Sequence, residues 1–107
     1  MNSNSRIITE AIQSRKVLKF NYADAGESMP QMRIVEPFTL GVHKDTGNLV
    51  LSAWQTGGHT KSGRLDTWKL YIVDNMQNII VTDEPAASYH NGYNPRDSRM
   101  VSILCTT

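Results

Sequence analysis

The side chains best placed to do chemistry fall in residues 48–76. Gln55 ends one apolar-alternating run that also carries Trp54. His59, Lys61 and Arg64 occupy a Gly-containing loop, and Trp68, Lys69 and Tyr71 lie in the next run. Cations of this kind hold phosphate oxygens through charge-assisted hydrogen bonds, and indole or phenol rings stack on planar bases. Arg33 adds a guanidinium beside Pro37, able to make a bidentate contact with phosphate or to stack on a base. The candidate ligand-binding set is therefore Arg33, Gln55, His59, Lys61, Arg64, Trp68, Lys69 and Tyr71. The competing reading is a solvated hairpin loop with tryptophans that only pack a core, and an Arg33 paired internally with Glu36 or Asp74.

Catalytic and metal patterns are missing. His43, His59 and His90 lie 16 and 31 residues apart, with no second ligand at the short spacing a zinc site needs. Gly57-Gly58 precedes no Lys-Ser/Thr helix start, and neither Ser52 nor Ser62 sits in a nucleophile motif. Asp66, Asp74, Asp83 and Glu84 fall at turns or strand ends. An enzyme would have to rest on a pairing such as His59 with Asp66. The expectation is a chain that is not an enzyme and holds no cofactor or metal.

The elements that must carry the candidate set follow from periodicity. Residues 5–16 place Ile7, Ile8, Ala11 and Ile12 on one helical face, with Ser5 as N-cap and Arg15 and Lys16 at the C-terminal end. Residues 17–22 alternate with period two, as do 49–55 and 67–73. Residues 32–42 are extended around Pro37, which requires an edge, bend or bulge there. Further strands are expected over 77–82 and 100–105, separated by a polar, turn-rich tail. One helix and five or six short strands predict a mainly β fold, a small, strongly bent sheet or partly open barrel with a capping helix.

The chain of 107 residues is one domain by size, with 39% hydrophobic and 20% charged residues. A net charge of +1 offers no global polycation, so nucleic acid would have to be bound by a local patch. The single Cys105 is read as a small hydrophobe rather than a nucleophile. No apolar run reaches the roughly 18 residues of a membrane span, and residues 1–13 lack a signal-peptide apolar region. The expectation is a cytoplasmic protein without a membrane partner.

Several segments together resemble the WYL domain family. They are Leu18-Lys-Phe-Asn-Tyr22, Arg33-Ile-Val-Glu-Pro37, Leu49-Val-Leu51, Ala53-Trp54-Gln55 and the stretch from Trp68 to Met76, covering about residues 6–84. The tail Gly92-Tyr-Asn-Pro95 resembles that of compact, stand-alone members. The resemblance implies an SH3/Sm-like β-barrel capped by a helix, and a domain that senses a ligand, with nucleic acid or nucleotides as the class. Its members are usually joined to a DNA-binding winged helix in bacterial transcription factors, or occur in CRISPR-associated proteins. The namesake Trp-Tyr-Leu triplet is replaced here by Leu49-Val50-Leu51, and both arginines of the family's Phe-Arg-Leu-Asp-Arg-Ile motif are replaced within Tyr71–Met76. Lys69 and Arg33 retain the neighbouring cations.

Two questions stay open at this level. If Trp54 opposes Trp68, both share a face with Val50, Leu70 and Ile72, while Gln55, Lys69 and Tyr71 share the other. In that register the tryptophans are read as core and the Gln55/Lys69/Tyr71 face as the polar, ligand-capable one. A shift by one residue separates the tryptophans. The functional reading is a ligand-sensing module for a nucleotide or short single-stranded nucleic acid. The alternative is a protein-interaction module, or a homo-oligomer built on free sheet edges.

Overall fold

A computed structural model describes residues 3–107. The helix α1 covers Ser3–Ser14, followed by strands β1 (Lys16–Tyr22), β2 (Gln31–His43), β3 (Leu49–Gly58), β4 (Thr67–Ile72), β5 (Gln77–Pro85) and β6 (Met100–Thr106). All strand pairings are antiparallel, in the order β4-β3-β2-β1-β5, with β6 also on β2. The fold is thus mainly β with an N-terminal helix, as expected, and its sheet is curled but not closed into a barrel.

The sheet curls because β2 serves three neighbours. One edge pairs with β3, while the other pairs with β1 over Gln31–Val35 and with β6 beyond Thr39. Between those halves Pro37 opposes Ala53 and Thr39 opposes Ser52, which leaves Phe38 as the bulged residue. The expected break at Pro37 is therefore a bulge, and it shifts the alternation so that Val35 and Leu40 serve one core. A second bulge at Thr56 bends β3 near its end.

The helix lies two residues earlier than expected. Ser5 is a buried residue within α1 rather than its N-cap. Arg15 adopts φ +58°, which stops the helix, and Lys16 already belongs to β1, so neither cation serves the helix end. Ile8, Ala11 and Ile12 press onto Leu18, Phe20, Val35, Leu40, Leu51, Ala53 and Tyr71. The β4 edge is tied to β1 by a side chain: the Tyr22 hydroxyl accepts the Ile72 backbone N–H at 2.9 Å.

Candidate functional site

Trp54 does oppose Trp68, and the two ring centroids are 5.6 Å apart with planes at 86°. The roles of the two faces are nevertheless the reverse of those expected. Gln55 and Tyr71 lie on the buried face, at 0% and 2% exposure, together with Leu51 and Ala53. The tryptophans are half-buried on the opposite face. Helix α1 covers the first face and the tail covers the second, so the alternation itself could not choose between them.

On the inner side, one end of the sheet carries a polar cluster around Arg33. This guanidinium is 1% exposed. Its Nη2 donates to the Tyr22 carbonyl and to Glu27 Oε1, each at 2.9 Å, and Nη1 reaches Asp24 Oδ2 at 3.4 Å. The guanidinium carbon also stands 5.7 Å from the Tyr22 ring centroid. Arg33 is consequently a buried, paired group, and its partners are Asp24 and Glu27 rather than Glu36 or Asp74. Burying a guanidinium demands such compensation, because leaving it unpaired would cost several kcal/mol.

Glu27 joins this cluster to the β3–β4 loop. Its Oε1 also accepts the Asp24 N–H at 2.8 Å, and its Oε2 lies 2.6 Å from His59 Nε2. The Asp24 N–H, then His59, then Arg33 hold this carboxyl down to about 2. The cationic loop is stitched down by side-chain hydrogen bonds. The Lys61 ammonium donates to the Ala25 carbonyl, and Lys69 Nζ donates to Thr60 Oγ1 and Ser62 Oγ at 2.9 Å each. His59 N–H bonds the Met32 carbonyl at 2.8 Å, where Gly58 at φ +80° lets the two backbones approach. Arg64 stands exposed near the loop tip.

Beneath these two loops lie two unsatisfied groups. Gln55 Nε2 donates to the carbonyls of Gly57 (3.0 Å) and His59 (2.7 Å), which fixes the amide and leaves Oε1 without a partner among the described residues. Tyr71 Oη is also buried and unpartnered among them. Burial raises the Tyr71 hydroxyl well above its ordinary value, so it stays a neutral donor and acceptor. Tyr71 packs edge-on against both Phe20 and Tyr22, with 5.0 Å between centroids in each pair. Each of these two buried atoms is a point at which a ligand or an ordered water finds a hydrogen-bond partner.

The outer face is aromatic. Phe38, pushed outward by its bulge, is fully buried under Trp68, His90 and Tyr93. The tail over residues 86–99 acts as a strap across it. Ala87 N–H and His90 Nε2 each meet the Glu36 carboxylate at 2.6 Å, and Trp68 Nε1 donates to the Asn91 carbonyl at 2.8 Å. A cavity of about 200 Å³ remains beside Trp68, bordered by Ser52, Tyr93, Asn94 and the Asp97–Arg99 pair.

The structure thus brings Arg33, Gln55, His59, Lys61, Lys69 and Tyr71 to one end of the inner side, and puts Trp68 on the other face. Sequence reasoning missed Glu27, Asp24 and Tyr22, which looked like ordinary turn and strand residues. It also missed the strap, whose polar composition hid His90 and Tyr93. Cys105 is half-buried against the core, where burial pushes its thiol up, in keeping with a packing role.

No curated protein and no solved structure matches this chain. A family model does: the WYL domain, over residues 3–81. That span contains α1 and the first four strands, with most of β5, and leaves out the strap and β6. It includes every member of the inner polar cluster. The chain belongs to the WYL domain family.

Proposed function

We propose that this chain is a non-enzymatic ligand-binding module whose ligand is a nucleotide or a short single-stranded nucleic acid. The observation that carries this reading is the pair of polar atoms without a partner among the described residues, Gln55 Oε1 and Tyr71 Oη, near two loops joined by the His59–Glu27 and Lys61–Ala25 contacts. A ligand entering between the loops gives each atom a partner. Arg33, Lys61 and Lys69 bring positive charge to the same end, with the His59 ring as a further hydrogen-bonding group, and suit a phosphate.

The test is calorimetric titration of the whole chain with linear and cyclic nucleotides and short oligonucleotides, at low and at moderate salt. Binding should weaken as salt rises, because each phosphate contact releases counterions. Amide chemical shifts near Gln55 and Tyr71 are the appropriate optical-free readout, since both tryptophans lie on the opposite face. Absence of heat and of shift changes at low salt would overturn the reading.

The alternative, an interaction or oligomerisation module, draws on β6. Val101 and Leu104 there are 72% and 51% exposed on a strand without charge. Both are bulge residues against β2, so regular edge-to-edge pairing is interrupted and contact would run through side chains. Sedimentation of the wild type beside Leu104→Lys decides the self-association form of this reading: a concentration-dependent oligomer lost in the variant supports it, and a monomer at all concentrations removes it.

A further inference from the structure

We propose that Glu27 occupies an anion-binding site as an internal stand-in, and that the anionic group of the ligand, a phosphate or a carboxylate, takes its place. The inference rests on the ligand-binding reading above and names how that site is guarded. Three donors converge on the Glu27 carboxylate: the Asp24 backbone N–H at 2.8 Å, Arg33 Nη2 at 2.9 Å and His59 Nε2 at 2.6 Å. A main-chain N–H, a buried guanidinium and an imidazole aimed at two carboxylate oxygens form an oxyanion cradle whoever supplies the oxygens.

The supplier here is easily moved. Residues 25, 26 and 28–30 around Glu27 are all exposed, so the β1–β2 loop has little apolar anchorage there. Among the described residues, its side-chain attachments to the rest of the site are the Glu27 carboxylate itself, the 3.4 Å contact of Asp24 with Arg33 and the Lys61 bond to the Ala25 carbonyl. Arg33, by contrast, is fixed by the Tyr22 carbonyl and stays in place when the loop leaves. Asp24 remains as a longer and more exposed partner, at 3.4 Å, too weak to replace Glu27. A phosphate brings more charge and more acceptor oxygens than one carboxylate, and it can also reach Lys61 once that ammonium is released.

The arrangement therefore couples binding to loop opening. Displacing Glu27 from His59 leaves the Lys61 bond to the Ala25 carbonyl as the remaining side-chain tie between the two loops, and an anion that also draws Lys61 away opens them toward Gln55 and Tyr71. Without an anion the loops close on Glu27.

The test compares the wild type with Glu27→Ala and Glu27→Gln, using sodium phosphate and sodium acetate against sodium chloride at matched ionic strength. Melting temperature and the Asp24 amide shift are the readouts. Both variants should melt below the wild type in chloride, and phosphate or acetate should restore them at concentrations at least tenfold lower than those that perturb the wild type. Glu27→Gln keeps the side-chain volume, so it carries the comparison should Glu27→Ala not fold. Anions that affect the variants no more than the wild type would overturn the proposal. Nucleotide titrations separate the two claims. Binding to the wild type without tightening in either variant ends the displacement idea and leaves the ligand reading standing. Rescue by phosphate with no nucleotide binding to any form supports the anion site and ends the nucleotide reading.

Discussion

His90 lies flat on Trp54, with ring centroids 4.1 Å apart and planes within 4° of parallel, while its Nε2 meets Glu36 Oε1 at 2.6 Å. One residue of the strap thus covers an indole and satisfies a buried carboxylate of β2. Glu36 is 8% exposed and also accepts the Ala87 N–H, so the strap begins and is held at this carboxylate. His90→Ala removes the stacked ring and leaves Glu36 short of a donor. We expect a loss of about 2 kcal/mol, the scale for an orphaned buried acceptor plus a lost aromatic contact. Urea denaturation followed by circular dichroism measures the loss, and a red-shifted tryptophan emission in the native state would show that the strap has lifted from the two indoles it covers. An unshifted spectrum would mean that the strap stays seated without His90.

The strap also explains which features could be read in advance. Period-two runs such as Val17–Tyr22 announce strands directly, and Ile8, Ala11 and Ile12 announce the helix that covers them. The assignment of faces failed at β3. Leu51 and Ala53 are apolar on one side, Val50 and Trp54 on the other, so both sides look like core. What decides is tertiary: α1 seals the side with Gln55, and a polar tail seals the side with Trp54. Arg33 escaped for a related reason, since its partners lie 6 and 9 residues away on a loop whose path no periodicity describes.

Gly92 controls how closely the strap can approach Trp68. Its φ is +91°, and a Cβ there would stand 3.1 Å from Trp68 Nε1. Gly92→Ala therefore meets both a backbone penalty and an indole that is held by the Asn91 carbonyl. A destabilisation of about 1–3 kcal/mol is expected from the backbone strain. Gly47→Ala, at φ +72° with open space around the added methyl, separates the two effects. If both variants lose the same stability, contact with Trp68 contributes nothing.

The Glu27 carboxyl fixes the acid behaviour of the inner site. Its value in the folded chain is about 2, below the ordinary 4.5, so the folded form holds its carboxylate more firmly than the unfolded form does. A depressed carboxyl adds stability that is complete above pH 4.5 and is lost as pH falls from there toward 2. Glu27→Gln lacks this dependence. The stability gap between wild type and variant should be constant near neutrality and should narrow across that acid window. Urea midpoints taken at several pH values measure it, and a gap that widens on acidification would contradict the assignment.

Tyr71 sets stability against binding. Its hydroxyl is buried and burial keeps it protonated, and no group among the described residues offsets its desolvation cost with a bond. Tyr71→Phe removes that cost while keeping the ring that packs against Phe20 and Tyr22. The variant should be as stable as the wild type or more stable by up to about 1 kcal/mol, the net scale of one hydrogen-bonding group. Tyr-to-Phe changes that break an existing buried bond move stability the other way, so the sign is diagnostic. If the hydroxyl is kept open for a ligand, the same variant should bind nucleotide more weakly than the wild type while melting no lower. A variant that is less stable, with unchanged affinity, would mean that the hydroxyl already has a bound water as partner and plays no part in recognition.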